Sequence, residues 1–221
     1  SAQTKGLPVK VGLQVASFTR PGGDAKIAST LADVGRTAEE VGFDSVWVMD
    51  HFFQLEGMIG PVDEPMLEGY SALNYLAELT ERVTLGTLVT GIIYREPGFL
   101  VKAATALDVL SSGRAWLSIG AGWYEREANA LGFMYPPMGE RPARLEENLQ
   151  IAKQIRSGDR GAYKGSYYEL TETINSPPVR QKPHPPIMIA APISAPRGTR
   201  ISDMLGCPLG RSIDPDRSLF D

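Results

Sequence analysis

The sequence is poor in cysteine, in histidine and in excess positive charge. It contains one cysteine, Cys207, and two histidines among 221 residues. A single cysteine excludes an internal disulfide framework and a metal site held by several thiolates, and we expect no metal. The 22 lysines and arginines are outnumbered by 26 acidic residues, which gives a net charge of −4. A chain with this balance has no basic surface for a phosphate backbone, so nucleic acid is not an expected partner.

Long apolar runs are also lacking. No stretch approaches the roughly 20 consecutive apolar residues that cross a bilayer, and the segment SAQTKGLPVK lacks the apolar core of a signal peptide. These two absences predict a cytoplasmic protein that has no membrane partner. Because 43% of the residues are hydrophobic, the chain can nevertheless bury one sizeable core.

Apolar segments of strand composition alternate with segments of helical periodicity. Because strands joined by helices of about one crossover length form right-handed βαβ units, the pattern predicts an α/β fold with a parallel sheet. Asp24 is the predicted N-cap of the first helix and Gly42 its predicted stop. The predicted strands lie at 9–15, 45–50, 83–91, 114–122 and after the Pro-rich segment 182–186, and the predicted helices at 24–42, 70–82, 97–113 and 139–158.

Two chemically capable side chains follow the second predicted strand. Its apolar run ends in Asp50 and His51, and parallel sheets carry their chemistry at the carboxyl ends of the strands. A histidine at this place suits proton transfer near neutral pH. The alternative is that His51 caps its own strand and hydrogen-bonds to Asp50. The other strand ends, which we expect at the same cleft, read ASF at 16–18, LVTG at 88–91 and GAGW at 120–123.

A glycine-rich turn ends the fourth predicted strand. Gly120 and Gly122 flank the small Ala121, and such a turn lets backbone amides approach an anionic or planar ligand closely. A plain tight turn is an equally good interpretation of these three residues. The third glycine and the downstream acidic residue of a dinucleotide fingerprint are missing, so a Rossmann nicotinamide site is disfavoured.

Aromatic residues accompany the strand ends. Phe52, Phe53 and Trp123 lie beyond predicted strands, where a large apolar surface serves a purpose if it shields a ligand or a partner. Trp47 lies inside a predicted strand and is expected to pack in the core. The second histidine, His184, stands in a Pro-rich segment and is expected to be structural.

Several segments together resemble the luciferase-like flavin and deazaflavin oxidoreductases, in particular the branch that uses the deazaflavin coenzyme F420. The resemblance spans roughly residues 8–189 and is carried by AEEVGFDSVWVMDHFF, ERVTLGTLVTGIIYREPGFLVKAATALDVLSSGRAWLSIGAGWYEREANALGF, GERPARLEENLQI and PHPPIMI. It implies a TIM-type (β/α)8 barrel whose cofactor ring lies across the carboxyl face of the strands. It also implies hydride transfer between coenzyme F420 and a small organic substrate. An FMN-dependent monooxygenase is the alternative.

The resemblance also implies roles for individual residues. The family's Asp-His pair maps onto Asp50 and His51, with His51 as the acid or base, so both are predicted catalytic residues. The family's non-proline cis peptide maps onto Leu88–Val89. The predicted cofactor-binding residues are Ser17, Asp50, Leu88, Val89, Thr90, Gly120, Ala121, Gly122 and Trp123.

The position after the glycine-rich turn departs from relatives that oxidise sugar phosphates. Those relatives carry a glutamate where this chain has Trp123, with Glu125 and Glu127 nearby. Oxidation of a sugar phosphate is therefore not expected. Phe53 and Trp123 are the predicted substrate contacts.

The C-terminal part of the sequence departs further from the family pattern. Residues 1–190 are expected to form an incomplete barrel of about five strands, with an insertion at about 161–183 made of a short hairpin and a Pro-rich linker. Residues 191–221 contain four prolines and no regular periodicity, which predicts disorder or a changed reading frame. An unclosed parallel sheet exposes two edges, so we expect a homo-oligomer. The alternative to an enzyme is a non-catalytic remnant that binds cofactor weakly or not at all.

Overall fold

Parallel strands that follow one another in chain order form the centre of the fold. The computed structural model describes residues 9–190. Its strands are β1 (Gly12–Val15), β2 (Ser45–Val48), β3 (Thr84–Thr87), β4 (Thr90–Gly91), β5 (Leu117–Gly120), β6 (Tyr163–Lys164), β7 (Glu169–Leu170) and β8 (Ile187–Ala190). Two three-stranded sheets have the orders β1-β2-β3 and β4-β5-β8, and every neighbouring pair in them is parallel. The predicted parallel α/β arrangement is thus confirmed.

The third predicted strand, 83–91, is divided into β3 and β4. Leu88 and Val89 lie between the two segments, and the bond that joins them is the cis peptide that the resemblance implied. The two sheets remain joined here, because Leu85 forms a bridge with Ala115 and the Trp116 amide donates to the Leu85 carbonyl at 2.8 Å. Within residues 9–190, the strands do not close into a barrel.

Helices connect successive strands and cover the sheets. The α-helices of the described part are α1 (Ile27–Glu40), α2 (Gly69–Leu79), α3 (Pro97–Leu110), α4 (Glu125–Ala130) and α5 (Arg141–Ser157). Four of them, α1, α2, α3 and α5, correspond to predicted helices. The six-residue helix α4 was not predicted, because so short a segment cannot show helical periodicity.

The two predicted ends of α1 had different outcomes. Gly42 does follow the helix and has φ +90°, a backbone conformation that glycine adopts at no steric cost. The predicted N-cap Asp24 is wrong. Asp24 instead opens a 3-10 turn, Asp24–Lys26, whose Lys26 amide donates to the Gly23 carbonyl at 3.0 Å. Because this tight turn precedes the α-helix, Lys26 occupies the N-cap position and its side chain makes no capping bond.

The main core lies between the sheets and helices α1, α2 and α3. Its fully buried side chains come from both layers, and each contributes about 1.5–3 kcal/mol relative to an exposed position. Trp47, which was expected in the core, is only half-buried and is not part of this cluster; its ring lies 5.7 Å from that of Trp116 in an edge-to-face contact. The largest of the fully buried apolar side chains are Leu73, Leu76, Leu85, Leu100, Leu107, Leu117, Ile119 and Ile151.

A smaller apolar cluster joins α3 and α5 to the segment after α5. Ile151 and Ile155 pack with Val101 and with side chains of the antiparallel hairpin β6–β7. Glu147 of α5 fixes the hairpin turn, because its carboxylate accepts hydrogen bonds from the backbone amides of residues 166–168. The interpretation of 161–183 as an insertion in a barrel remains a prediction.

Two earlier expectations concern other parts of the chain. The predictions for residues 191–221 lie outside the described residues. Among residues 9–190, no helix combines the length and apolar character that crossing a membrane requires.

Candidate active site

Asp50, at the end of β2, is the centre of a buried ion-pair network. Only 2% of the residue is exposed. Arg95 donates to both carboxylate oxygens at 2.7 Å, and the Gly91 amide donates to Oδ2 at 3.0 Å. The same guanidinium donates to Glu68 Oε1 at 2.5 Å, while the Glu68 carboxylate caps the N-terminus of α2. Asp50 therefore ties the end of β2 to β4 and to the start of α2.

The electrostatics of this network depend on burial and pairing together. Burial raises the pKa of Asp50 above its ordinary value, while the hydrogen bonds from Arg95 act in the opposite direction. Burial alone would lower the pKa of Arg95, but its bonds to Asp50 and Glu68 raise it. Every oxygen of Asp50 already has a partner in this network, so the residue is poorly placed for proton transfer to a ligand.

His51 lies in a different environment from its neighbour. Its side chain is 11% exposed, and its Nδ1 lies 3.0 Å from Oε2 of Glu127 on α4, a residue with no exposed surface. The other Glu127 oxygen accepts the amides of Phe52 and Phe53 at 2.5 and 2.7 Å, and the Tyr94 hydroxyl also donates to Glu127. One carboxylate thus orders the loop after β2, the histidine ring and a tyrosine.

The hydrogen bonds on Glu127 determine its charge. Burial would raise the pKa of Glu127, but the bonds from His51, Tyr94 and the Phe53 amide outweigh burial and lower it. Burial, together with the bond to Glu127, raises the pKa of Tyr94. Glu127 is accordingly an ionised acceptor near neutral pH, and Tyr94 is a neutral donor.

Aromatic rings surround the imidazole of His51. The rings of Trp123, Tyr124 and Tyr94 lie 5.6, 5.7 and 6.3 Å from it, all edge to face. Trp123 stacks on Tyr124 at 5.2 Å and is 52% exposed. Trp123 is therefore placed to shield a ligand beside His51, whereas the other two rings hold the imidazole in place.

The ends of β3 and β5 lie together beside this aromatic group. Leu88 is 37% exposed, although it stands between two buried strand segments. A Cβ atom at Gly120 would lie 3.0 Å from Val89 Cγ2 and 3.3 Å from the Ala190 carbonyl, so the strands approach closely here. At Gly122 the φ angle is +81°, and a Cβ there would lie 2.7 Å from Ile93. Small residues and backbone thus line the place where these strand ends meet, which we call the groove, and the exposed Leu88 and Trp123 stand next to it along the chain.

The hydroxyls of two other predicted ligand contacts form hydrogen bonds within the protein. Thr90 is fully buried, and its hydroxyl joins those of Tyr70 and Thr87 at 3.0 and 2.5 Å. The Ser17 hydroxyl accepts the Thr19 amide at 3.1 Å within its own turn. The buried Thr90 side chain thus stabilises local structure and leaves its backbone as a possible ligand contact, while the half-buried Ser17 hydroxyl can still donate a hydrogen bond.

The alternative in which His51 bonds to Asp50 is wrong. The two side chains have separate partners, Glu127 for His51 and Arg95 for Asp50. Glu127, Tyr94 and Arg95 had no predicted role. A charged residue in the middle of the apolar stretch GIIYREPGFL was an available signal for Arg95, since a buried charge requires a partner.

Comparison with known proteins assigns the chain to a family. The model of the family described as luciferase-like monooxygenase matches residues 9–208. The F420-dependent glucose-6-phosphate dehydrogenase of Kineococcus radiotolerans is 33% identical over 217 residues, which cover 96% of this chain and 60% of that protein. The enzyme of the same name from Amycolatopsis mediterranei is 31% identical over 191 residues, covering 83% of this chain and 54% of that protein. The chain thus spans little more than half the length of these relatives.

Solved structures show the same fold. An F420-dependent secondary alcohol dehydrogenase in complex with an F420-acetone adduct has a TM-score of 0.66 at 21% identity, covering 84% of this chain and 53% of that one. The oxygenating constituent of 3,6-diketocamphane monooxygenase of Pseudomonas putida, in complex with FMN, has a TM-score of 0.66 at 18% identity. The match covers 83% of this chain and 51% of that one. With the family match over most of its length, the chain belongs to the luciferase-like monooxygenase family.

Proposed function

We propose that this protein is an oxidoreductase that transfers a hydride between the deazaflavin coenzyme F420 and a small organic substrate. The observation that carries the proposal is the meeting of three strand ends in one groove. There His51 lies beside Trp123, and Gly120 lies against Val89. The names of the relatives from Kineococcus and Amycolatopsis support the choice of coenzyme.

The residues of the groove fit a planar ring. The close approach of β5 to Val89 leaves backbone and small side chains at the floor. The exposed side chains of Leu88 and Trp123 stand next to the groove along the chain and offer apolar surface. A flat, largely apolar surface with few polar groups is typical of sites that bind ring-containing cofactors. We expect the backbone of Gly120, Ala121 and Gly122 to lie closest to the ring.

In the proposed mechanism the protein contributes positioning and one proton transfer. The coenzyme, when bound, supplies the carbon that carries the hydride. Glu127 engages Nδ1 of His51. The other ring nitrogen, Nε2, has no hydrogen-bond partner among residues 9–190 and is available for proton transfer. The rings of Trp123 and Tyr124 pack edge to face against the imidazole and help to fix its orientation. Asp50 has a supporting role, because Arg95 occupies both of its oxygens.

The substrate is expected to differ from that of the named relatives. Trp123 places a large, half-exposed indole beside His51, and an indole offers one hydrogen-bond donor and no charge to a phosphate group. Phe53 adds a second partly exposed ring on the neighbouring loop. We therefore propose a small substrate with an apolar portion rather than a sugar phosphate.

The proposal extends to architecture. The parallel strands follow chain order from β1 to β8, as the first part of a (β/α)8 barrel requires, and we assign them to such a barrel with an insertion at about 161–183. We also propose a homo-oligomer, since β1 is the edge strand of its sheet and the exposed Val9 and Val11 directly precede it. Sedimentation at several protein concentrations tests this, and a monomer at all of them contradicts it.

There are two alternatives to this proposal. The FMN complex among the similar structures supports FMN as the cofactor of a monooxygenase. A folded remnant that binds cofactor weakly or not at all stays the second alternative.

A titration separates these three possibilities. The purified chain is titrated with coenzyme F420 and, separately, with FMN, while tryptophan fluorescence is followed. Saturable binding of F420 at micromolar concentration, quenching Trp123, supports the proposal. Preference for FMN supports the monooxygenase, and a folded chain that binds neither contradicts both enzymes.

Matched variants show whether binding occurs in the groove. Trp123→Phe should remove most of the quenching, whereas Trp116→Phe should not, because Trp116 packs against Trp47 away from His51. Quenching that persists in Trp123→Phe would place the ligand elsewhere.

A further inference from the structure

The Glu127 carboxylate has two differently occupied oxygens. Oε1 accepts two backbone amides, those of Phe52 and Phe53, which are donors in every state of the protein. Oε2 faces two groups that can either donate or accept a hydrogen bond, the Tyr94 hydroxyl and Nδ1 of His51. The backbone amides therefore fix the orientation of the carboxylate, and Oε2 is left to act on the tyrosine and the histidine.

The charge of Glu127 determines which histidine nitrogen carries the hydrogen. An ionised carboxylate can only accept hydrogen bonds, and the lowered pKa of Glu127 keeps it ionised near neutral pH. At 3.0 Å from Oε2, Nδ1 must then be the donor. In a neutral imidazole with hydrogen on Nδ1, the other nitrogen, Nε2, has a free lone pair.

We propose that Glu127 is a positioning residue that holds neutral His51 in the tautomer with hydrogen on Nδ1, so that Nε2 faces the groove as a proton acceptor. What Nε2 does there rests on the proposed function, but the tautomer does not. The carboxylate under the ring also fixes its orientation, as second partners of functional histidines commonly do. Tyr94 has a supporting part, because its hydroxyl shares Oε2 and limits movement of the carboxylate.

The small number of histidines makes the tautomer measurable without ligand. In protein labelled with nitrogen-15 at histidine, only His51 and His184 contribute, and ring nitrogen shifts distinguish protonated from unprotonated nitrogens. The spectra are recorded at a pH where titration has shown both rings to be neutral. His184 is an internal reference, because its Nδ1 lies 2.7 Å from the Pro185 carbonyl, which can only accept. We expect Nδ1–H and bare Nε2 for His51. A predominant Nε2–H form in the unmodified protein overturns the proposal.

The variant Glu127→Gln gives a second, independent test. The amides of Phe52 and Phe53 should hold the new amide oxygen, which turns the NH2 group towards Tyr94 and His51. Nδ1 of His51 would then have to accept, and the predominant tautomer should invert to Nε2–H. Glu125→Gln, an exposed change two residues earlier on the same helix, should leave the tautomer unchanged. A folded Glu127→Gln protein that retains Nδ1–H contradicts the positioning role.

The spectroscopic test remains decisive in two unfavourable cases. If Glu127→Gln fails to fold, the tautomer of the unmodified protein still supports or overturns the proposal. If the protein binds no coenzyme, the proposed function fails while the tautomer result stands, since no coenzyme is present in the experiment.

Discussion

Asp50 and His51 are adjacent in sequence, yet they belong to two polar clusters with different properties. Around Asp50 every charge is paired, and the carboxylate oxygens are saturated by Arg95 and Gly91. Around His51 the pairing is incomplete, because Glu127 takes one ring nitrogen and leaves the other without a partner among the described residues. The first cluster joins strand ends and a helix start, and the second leaves Nε2 of His51 available for the proposed proton transfer.

The difference follows from the partners that each side chain meets. Asp50 points towards β4 and the start of α2, where Arg95 and Glu68 are available. His51 points the other way, towards α4. The same short segment therefore stabilises the fold on one side and serves the proposed chemistry on the other.

The largest effect is expected when the saturated cluster is broken. Arg95→Met leaves Asp50 buried without its ion-pair partner and should lower the free energy of unfolding by about 3–5 kcal/mol. Urea denaturation measures the change. Arg36→Met is the control, because Arg36 and Asp33 form an exposed pair at 3.8 Å and should contribute below about 1 kcal/mol. Equal effects of the two variants would contradict a structural role for the Asp50 cluster.

The incomplete cluster should respond in activity rather than in stability. With a substrate identified by coenzyme absorbance, His51→Asn should lower kcat by about 10²–10⁴-fold, the usual contribution of a general acid or base. Its unfolding free energy should change by less than that of Arg95→Met. The matched control His184→Asn lies in the Pro-rich segment and should keep full activity. Loss of activity in both variants would argue against a specific role for His51.

Much of the fold could be predicted from periodicity, but the partners within each cluster could not. Alternating strand and helix patterns located four helices and the parallel strands. Glu127 stands on α4, which is too short to show a pattern, and its partners lie 33 to 76 residues away in sequence. Such contacts depend on how the strand ends meet in space, which the local pattern of one sequence does not show.

The residue types at the strand ends were nevertheless informative. Asp50 and His51 could be chosen as candidates because polar residues directly after a buried strand require a partner or a function. Their division into a structural and a reactive residue needed the positions of Arg95 and Glu127. Thr90 stays a predicted ligand contact through its backbone, because its hydroxyl joins a buried network with Tyr70 and Thr87.

Removing the tyrosine from the His51 cluster should have an intermediate effect. Tyr94→Phe deletes a hydrogen bond to an ionised carboxylate, and such bonds contribute about 1.5–3 kcal/mol. Urea denaturation should show a decrease of that size. Tyr75→Phe is the control, because its hydroxyl bonds to the Ala28 carbonyl at the surface and its loss should cost about 1 kcal/mol or less. If the two variants lose the same amount, Glu127 does not depend on Tyr94.

Arg156, whose guanidinium is buried and has no hydrogen-bond partner among residues 9–190, sharpens the contrast with Arg95. All three guanidinium nitrogens of Arg156 on α5 are buried and unpaired among the described residues. Burial lowers the pKa of Arg156 to about 10. Because unsatisfied buried donors cost about 1–3 kcal/mol, Arg156→Met should raise the free energy of unfolding, whereas the same substitution at Arg95 lowers it. A decrease at both positions would show that Arg156 has an acceptor after all.

The smallest effect concerns pH and tests the charge of Glu127. Its pKa in the folded protein is below the ordinary value of 4.5, so its contribution to stability is fully present above that value and is lost as pH falls through the lowered pKa. Glu127→Gln cannot make this contribution at any pH. The difference in unfolding free energy between the unmodified protein and this variant should therefore shrink as pH falls below about 4.5. Glu125→Gln, at an exposed position, should show no such trend. A gap that stays constant with pH would mean that Glu127 is not held in its ionised form, and His51 would then lose the acceptor that distinguishes its cluster from that of Asp50.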